Sequence, residues 1–228
     1  MNYVQRWDDV LFLHWRAEAC GLRSRVPAAL DLDTFDGSAW ITAVIFRLRV
    51  RLGGMPHFPI VSSLSEVNLR TYVSGGGKPG IWLLSVRADN RLAARMARWL
   101  TPMPYTYGPL RYEPAGDGFA YRDSESALAF RPTGTEIPVK EGSLDKWLLE
   151  RYRLFAQTPP APMREAAVTH EPWSVRRVEF ADREGVFGSS SGLDLSRPPD
   201  AAHFSDGVRA EFGAFRTASI PECAAVGG

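Results

Sequence analysis

An α+β fold with a largely antiparallel sheet is what this sequence predicts, and three observations carry the prediction. Several segments alternate side chains with the two-residue period of a strand, most clearly residues 10–16 and 64–73. Only two segments show helical spacing strong enough for main helices. Strands and helices do not alternate in the rhythm of a parallel α/β sheet, and there is no internal repeat.

The elements follow in order. Residues 10–16 read as a strand with Phe12, His14 and Arg16 on one side and Leu11, Leu13 and Trp15 on the other, before a short helical stretch that ends ahead of Pro27. Residues 30–35 and 39–51 read as a hairpin around Asp36-Gly37, a strong turn dipeptide. The second arm ends with Phe46, Leu48 and Val50 opposing Arg47, Arg49 and Arg51, an exposed outer face. Residues 53–59 form a loop, and strands at 64–73 and 81–86 are joined by the glycine turn 75–80. A helix capped by Asp89 or Asn90 carries Leu92, Ala93, Met96, Ala97 and Leu100 on its apolar face and stops at Pro102. Its Arg91, Arg95 and Arg98 read as solvated. Residues 105–112, 119–123 and 127–131 form a meander, and Ser143 or Asp145 opens a second helix running to about Phe155. A proline-rich linker at 159–162 leads to an extended stretch at 168–180, loops at 188–192 and 197–199, and a last strand at 208–215. Residues 1–216 are expected to form one domain and residues 217–228 a disordered tail.

Composition narrows the partners. The chain has 228 residues, 45% hydrophobic and 23% charged, enough to bury a real core. A formal charge of +1 gives no concentrated basic surface, so neither nucleic acid nor membrane is an expected partner. Cys20 and Cys223 show no metal-ligand or disulfide spacing, and His57, His170 and His203 are scattered, so no metal and no cofactor is expected. The opening residues lack the layout of a signal peptide, which points to the cytoplasm. A homo-oligomer is left open. Of 27 basic residues only Lys78, Lys140 and Lys146 are lysines, which leaves few amines for Schiff-base chemistry.

The candidate chemistry lies on residues 64–73, where Glu66, Asn68, Arg70 and Tyr72 share one face of a strand. That row either faces water or lines a polar cavity. In a cavity, Arg70 would offer a planar donor fork to a carboxylate, and a desolvated Glu66 would serve as acid or base. About 13 Å of strand separates the two, so they would bracket a small molecule. His14 and Arg16 share the parity of Phe12, and a His14–Glu66 couple would make a proton shuttle. The glycine turn 75–80 lacks the ending of a phosphate loop, and residues 188–192 lack the context of a nucleophile elbow.

Several stretches taken together resemble a known family. They are Phe12-Leu13-His14-Trp15-Arg16, Leu32-Asp33-Thr34-Phe35-Asp36-Gly37-Ser38-Ala39-Trp40 and Glu66-Val67-Asn68-Leu69-Arg70-Thr71-Tyr72-Val73. Lys78-Pro79-Gly80-Ile81-Trp82, Met103-Pro104-Tyr105 and Trp147-Leu148-Leu149-Glu150-Arg151-Tyr152 continue the match. The chain resembles the DUF2071 family of bacterial proteins over most of residues 8–180, and that family looks like a branch of the acetoacetate decarboxylase-like superfamily. The resemblance implies a curved sheet closing into a cone-like barrel around a cavity, with two main helices. It also implies that the polar row faces the lumen and that Glu66 is comparable to the decarboxylase glutamate; with strand parity this gives Glu66 as the catalytic group and Asn68, Arg70, Arg16, His14 and, beside the comparable lysine position, Tyr105 as ligand-binding residues. The decarboxylases use a lysine Schiff base, but the comparable point here reads Pro104-Tyr105-Thr106, and a phenol cannot form an iminium. The expected function is binding of a small acidic or carbonyl-bearing molecule without that chemistry. Two alternatives stay open: a lysine-independent lyase, hydratase or isomerase using Glu66, and a non-catalytic interaction module.

Overall fold

Strands that are apolar on both faces need cover on both sides. Leu11, Leu13 and Trp15 on one face of the first strand, and Phe12 and His14 on the other, are all fully buried. The computed structural model describes residues 3–51, 63–189 and 192–220. The loop expected at 53–59, His57, Cys223 and residues 221–228 of the expected tail lie outside the described residues.

The first half of the chain forms β1 (Tyr3–Ala17), α1 (Ala19–Arg23), β2 (Asp31–Leu32), β3 (Ala39–Arg51), β4 (Ser63–Gly75), β5 (Lys78–Ala88), α2 (Arg91–Leu100) and β6 (Tyr105–Tyr107). Then come β7 (Arg111–Ala115), β8 (Gly118–Arg122), β9 (Ser126–Ile137), α3 (Leu144–Leu149) and β10 (Arg153–Ala156). Last are β11 (Arg164–Thr169), β12 (Val175–Gly185), β13 (Ala201–Phe212) and β14 (Arg216–Thr217). The fold is α+β. Strands β11, β10, β5, β4, β3, β1 and β13 neighbour one another in that order, and a β11–β13 pairing closes them into a ring. All these contacts are antiparallel except β10–β5, which is parallel. From β13 the sheet continues through β12, β9, β8 and β7.

Two apolar clusters follow from this path. Phe12, Val44, Phe46, Leu83, Trp173 and Phe212 belong to the cluster inside the ring. Leu11, Leu13, Ile45 and Leu69 point outward and pack with Phe204 of β13 and with Tyr121, Leu128 and Phe130 of the continuing sheet. Each such side chain, fully buried, contributes about 1.5–3 kcal/mol.

Two bulges set which residues face inward. Pairing of β4 with β5 slips between Leu69 and Arg70, which face Ser85 and Leu83, leaving Leu84 as the extra residue. Leu83 and Val86, an odd step apart, therefore line the same interior cavity. In β1 the irregularity lies between Asp8 and Leu11, with Asp9 at φ 53°, and it brings Trp7 into contact with the cluster that holds Val10 and Phe12.

Local signals resolve several expectations and correct others. Asn90 is the cap of α2, its side chain accepting from the Ala93 N–H at 2.9 Å, and Ser143 caps α3. Asp36 and Gly37 both take positive φ, as the tight turn requires, with Phe35 bridging Ser38. The first arm of that expected hairpin nevertheless pairs elsewhere: β2 joins β4 through Asp31–Ser74 and Leu32–Val73. The helix expected to reach Phe155 stops at Leu149, because residues from Arg153 are bonded into the ring between β5 and β11. The apolar face of α2 is also corrected. Its buried residue is Ala94, whereas Leu92, Met96 and Leu100 are exposed. The chain stays paired past residue 216, where Arg216 and Thr217 bond to β11. Arg47 and Arg49 are exposed as expected and form ion pairs with Asp9 and Asp8.

Candidate functional site

Strand β4 lies between β3 and β5 in the ring, and its polar row turns to the ring's interior. Glu66, Asn68 and Arg70 line an interior cavity of about 60 Å³, and Glu66 and Arg70 are only 5% and 7% exposed. Every strand of the ring supplies part of the wall, which is otherwise largely aromatic and aliphatic, with Trp7, Phe46, Leu83 and Trp173 among its members.

At one end of the row the Tyr105 hydroxyl donates to Glu66 Oε2 at 2.9 Å, and Asn68 Nδ2 donates weakly to Oε1 at 3.4 Å. Burial raises the Glu66 carboxyl from its ordinary 4.5 to about 7, against the lowering effect of those two hydrogen bonds. A carboxyl with that value exchanges a proton readily near neutrality.

At the other end stands Arg70. One of its terminal nitrogens donates to the Leu148 carbonyl at 3.3 Å, and its Nε has no hydrogen-bond partner among the described residues. The guanidinium lies near the faces of Phe12 and Tyr72, at 5.6 and 5.9 Å, and no carboxylate among the described residues pairs with it. A guanidinium stays charged in a protein, and a buried charge without a counter-ion is costly. Arg151 also reaches the cavity. Its Nη1 donates to Asp33 Oδ2 at 2.7 Å and its Nε to the Trp147 carbonyl at 2.8 Å, while its buried Nη2 has no partner among the described residues. Asn68 Oδ1 is buried and likewise has no hydrogen-bond partner among the described residues. The arrangement pairs a cationic end with a proton-exchanging end across a small apolar space.

Glu66, Asn68, Arg70 and Tyr105 are therefore brought together. His14 and Arg16 are not. Arg16 is exposed, with its guanidinium 5.2 Å from the Trp40 ring, because β1 has passed the end of the interior by that point. His14 is fully buried but outside the cavity wall, bonded to Thr42 and His203, so no His14–Glu66 couple exists. Arg151, His170 and Gln5 line the cavity and were not singled out from the sequence. For Arg151 a signal existed in the Trp147–Tyr152 motif, but a helical reading of that stretch hid it. None of the three lysines lines the cavity. No described helix is long and apolar enough to cross a membrane.

Comparison with known proteins adds three findings. Residues 4–209 match DUF2071, a family described as an uncharacterized conserved protein. Over 209 residues, 88% of this chain and 86% of its relative, the sequence is 36% identical to the uncharacterized protein YqjF of Bacillus subtilis (strain 168). Among solved structures, an acetoacetate decarboxylase-like enzyme from Sphingomonas wittichii RW1 superposes with a TM-score of 0.65 at 14% identity, covering 96% of this chain and 93% of that one. The enduracididine biosynthesis enzyme MppR complexed with pyruvate superposes at 0.63 and 13% identity, covering 94% and 89%. At such identities the likeness establishes the shared barrel and leaves the chemistry to the residues described above.

Proposed function

Given that the chain belongs to the DUF2071 family and shares the acetoacetate decarboxylase-like fold, we propose that it binds a short carboxylic acid inside the barrel, with Arg70 as the anchor for the carboxylate. The observation that carries this reading is the buried Arg70 guanidinium facing a cavity with no carboxylate of the described residues beside it. A ligand carboxylate would supply the missing counter-charge, and Arg151 Nη2 stands ready as a further donor. Cavity size limits the ligand. At roughly 10–15 Å³ per water-sized group, about 60 Å³ holds roughly four to six such groups, the scale of a two- to four-carbon acid. Pyruvate, with which the MppR enzyme is complexed, falls in that range.

Glu66 and Tyr105 support a catalytic version of the same reading. A carboxyl poised near 7 and hydrogen-bonded to a phenol suits proton removal beside a carbonyl, with return of the proton at the same or a neighbouring atom. Return of the proton makes an isomerase, and loss of water or another leaving group from the neighbouring carbon makes a hydratase or lyase; neither course requires an amine. The absence of lysine from the cavity wall supports a reaction without a Schiff base.

Calorimetry with pyruvate and other two- to four-carbon acids tests the binding claim against their methyl esters. Acids should bind and esters should not, and Arg70→Gln should weaken binding at least about tenfold, or ~1.4 kcal/mol, with the circular dichroism spectrum unchanged. If no acid binds, or if Arg70→Gln leaves affinity untouched, the reading fails. Deuterium exchange at the pyruvate methyl group in D₂O, lost in Glu66→Gln, would support proton transfer. Borohydride treatment with pyruvate should leave every lysine unmodified, and a trapped adduct would overturn the amine-free chemistry.

A further inference from the structure

Behind Arg70 the interior holds a continuous polar chain that the cavity does not use. The Tyr72 hydroxyl contacts the Leu148 carbonyl at 2.9 Å and Thr42 Oγ1 at 2.6 Å, and Thr42 Oγ1 contacts His14 Nδ1 at 2.8 Å. His14 Nε2 then meets His203 Nδ1 at 3.1 Å, and His203 Nε2 meets Asp145 Oδ1 at 3.1 Å. The Leu148 carbonyl that ends this series is the one that accepts from Arg70. His14, Thr42 and His203 are fully buried, while the Asp145 side chain is 24% exposed.

Direction can be assigned bond by bond, since each group has a fixed stock of hydrogens. The carbonyl only accepts, so Tyr72 donates to it and must accept from Thr42. Thr42, its one hydrogen used, accepts from His14 Nδ1. A neutral His14 then presents a bare Nε2, so His203 must donate from Nδ1. At the far end an ionised Asp145 only accepts, so His203 must donate from Nε2 as well. Every contact is satisfied only when His14, His203 and Asp145 together hold one proton more than two neutral imidazoles and a carboxylate. Without that proton, one link in the series has no hydrogen.

The surroundings decide whether the proton is present. Burial pulls His14 well below the ordinary histidine value, and the His203 and Arg70 charges push the same way. Burial also lowers His203, with Asp145 of α3 opposing and Arg177 of β12 adding to the effect. Near neutral pH the empty protein is therefore short of the proton. An anion beside Arg70 would cancel part of the field that keeps it away.

We propose that His14, His203 and Asp145 form a positioning relay that takes up one proton when an anion binds at Arg70, completing the hydrogen bonds that fix Tyr72 and the Leu148 carbonyl against the guanidinium. The inference rests on the carboxylate-binding reading above. Linkage makes it reciprocal: a proton on the relay strengthens anion binding by the same factor.

Two other groups at the cavity also titrate, Glu66 and His170, the latter facing Glu150, Glu171 and Arg70. The test therefore uses the full chain carrying Glu66→Gln and His170→Asn. Pyruvate binding is measured by calorimetry in buffers of different ionisation heat near pH 7. Net proton uptake should persist, with affinity rising by up to about tenfold per unit fall in pH, the slope of one coupled proton. Adding His203→Gln should abolish the uptake and flatten the slope. Binding without proton uptake in the Glu66→Gln, His170→Asn protein overturns the relay while leaving the carboxylate reading intact, whereas absence of pyruvate binding in the unaltered chain overturns both. Where a variant fails to fold, imidazole ¹⁵N spectra of the unaltered chain decide. Saturation with pyruvate at constant pH should move the His14 and His203 resonances toward protonated values, and unchanged resonances would refute the proposal.

Discussion

At the residue scale, Glu66 and His14 show opposite consequences of burial. The Glu66 carboxyl rises to about 7 in the folded chain, so the unfolded chain gives up its proton first. Stability therefore falls as pH rises from about 4.5 to about 7, by on the order of 3 kcal/mol at 1.36 kcal/mol per unit. Glu66→Gln should recover much of that loss at pH ~8 and change little at pH ~4, as read from urea unfolding. His14 acts on the other side. Its value is lowered, so the unfolded chain binds the proton first and stability falls as pH drops below the ordinary 6.5. His14→Gln should flatten that acidic limb in the same titration. The polar row at Glu66, Asn68 and Arg70 was legible because strand period is a local property. The partnership of His14 with His203 was not, since 189 residues separate the two.

At the element scale, periodicity locates apolar residues without saying which of them dock. Helix α2 has two apolar arcs: Ala93, Ala94 and Ala97 turned toward the sheet, and Leu92, Met96, Trp99 and Leu100 left exposed. The alanine side lets the helix backbone lie close to β5 and β6, which a leucine side would prevent. Trp99→Lys should thus change unfolding free energy by less than about 0.5 kcal/mol, whereas Ala94→Leu should cost about 1–3 kcal/mol through overpacking. The end of α3 teaches the same lesson. Its Ser143 cap was among the readings of the sequence, but its stop at Leu149 depends on β10 being claimed by β5.

At the scale of the molecule, ring closure makes the cavity. Closure depends on Val168 meeting Phe212 and on Leu154 meeting Ile81, contacts between distant stretches of chain. Gly80 permits the second. A methyl group there would sit 2.9 Å from the Arg153 carbonyl oxygen and 2.8 Å from the Phe155 ring. Gly80→Ala should cost about 1–3 kcal/mol in urea unfolding and weaken pyruvate binding, because the backbone of β10 cannot yield without opening the ring. By itself the sequence determined the strand alternation, a pair of candidate caps for each main helix, the Asp36-Gly37 turn and the polar row, all set by neighbours a few residues apart. Only the tertiary structure decided that the row faces inward, that Arg16 lies outside, that Arg151 joins the cavity and that Arg70 stands there without a carboxylate of the described residues. Burial and charge pairing are properties of what closes over a residue, and here that cover comes from strands far away in the chain.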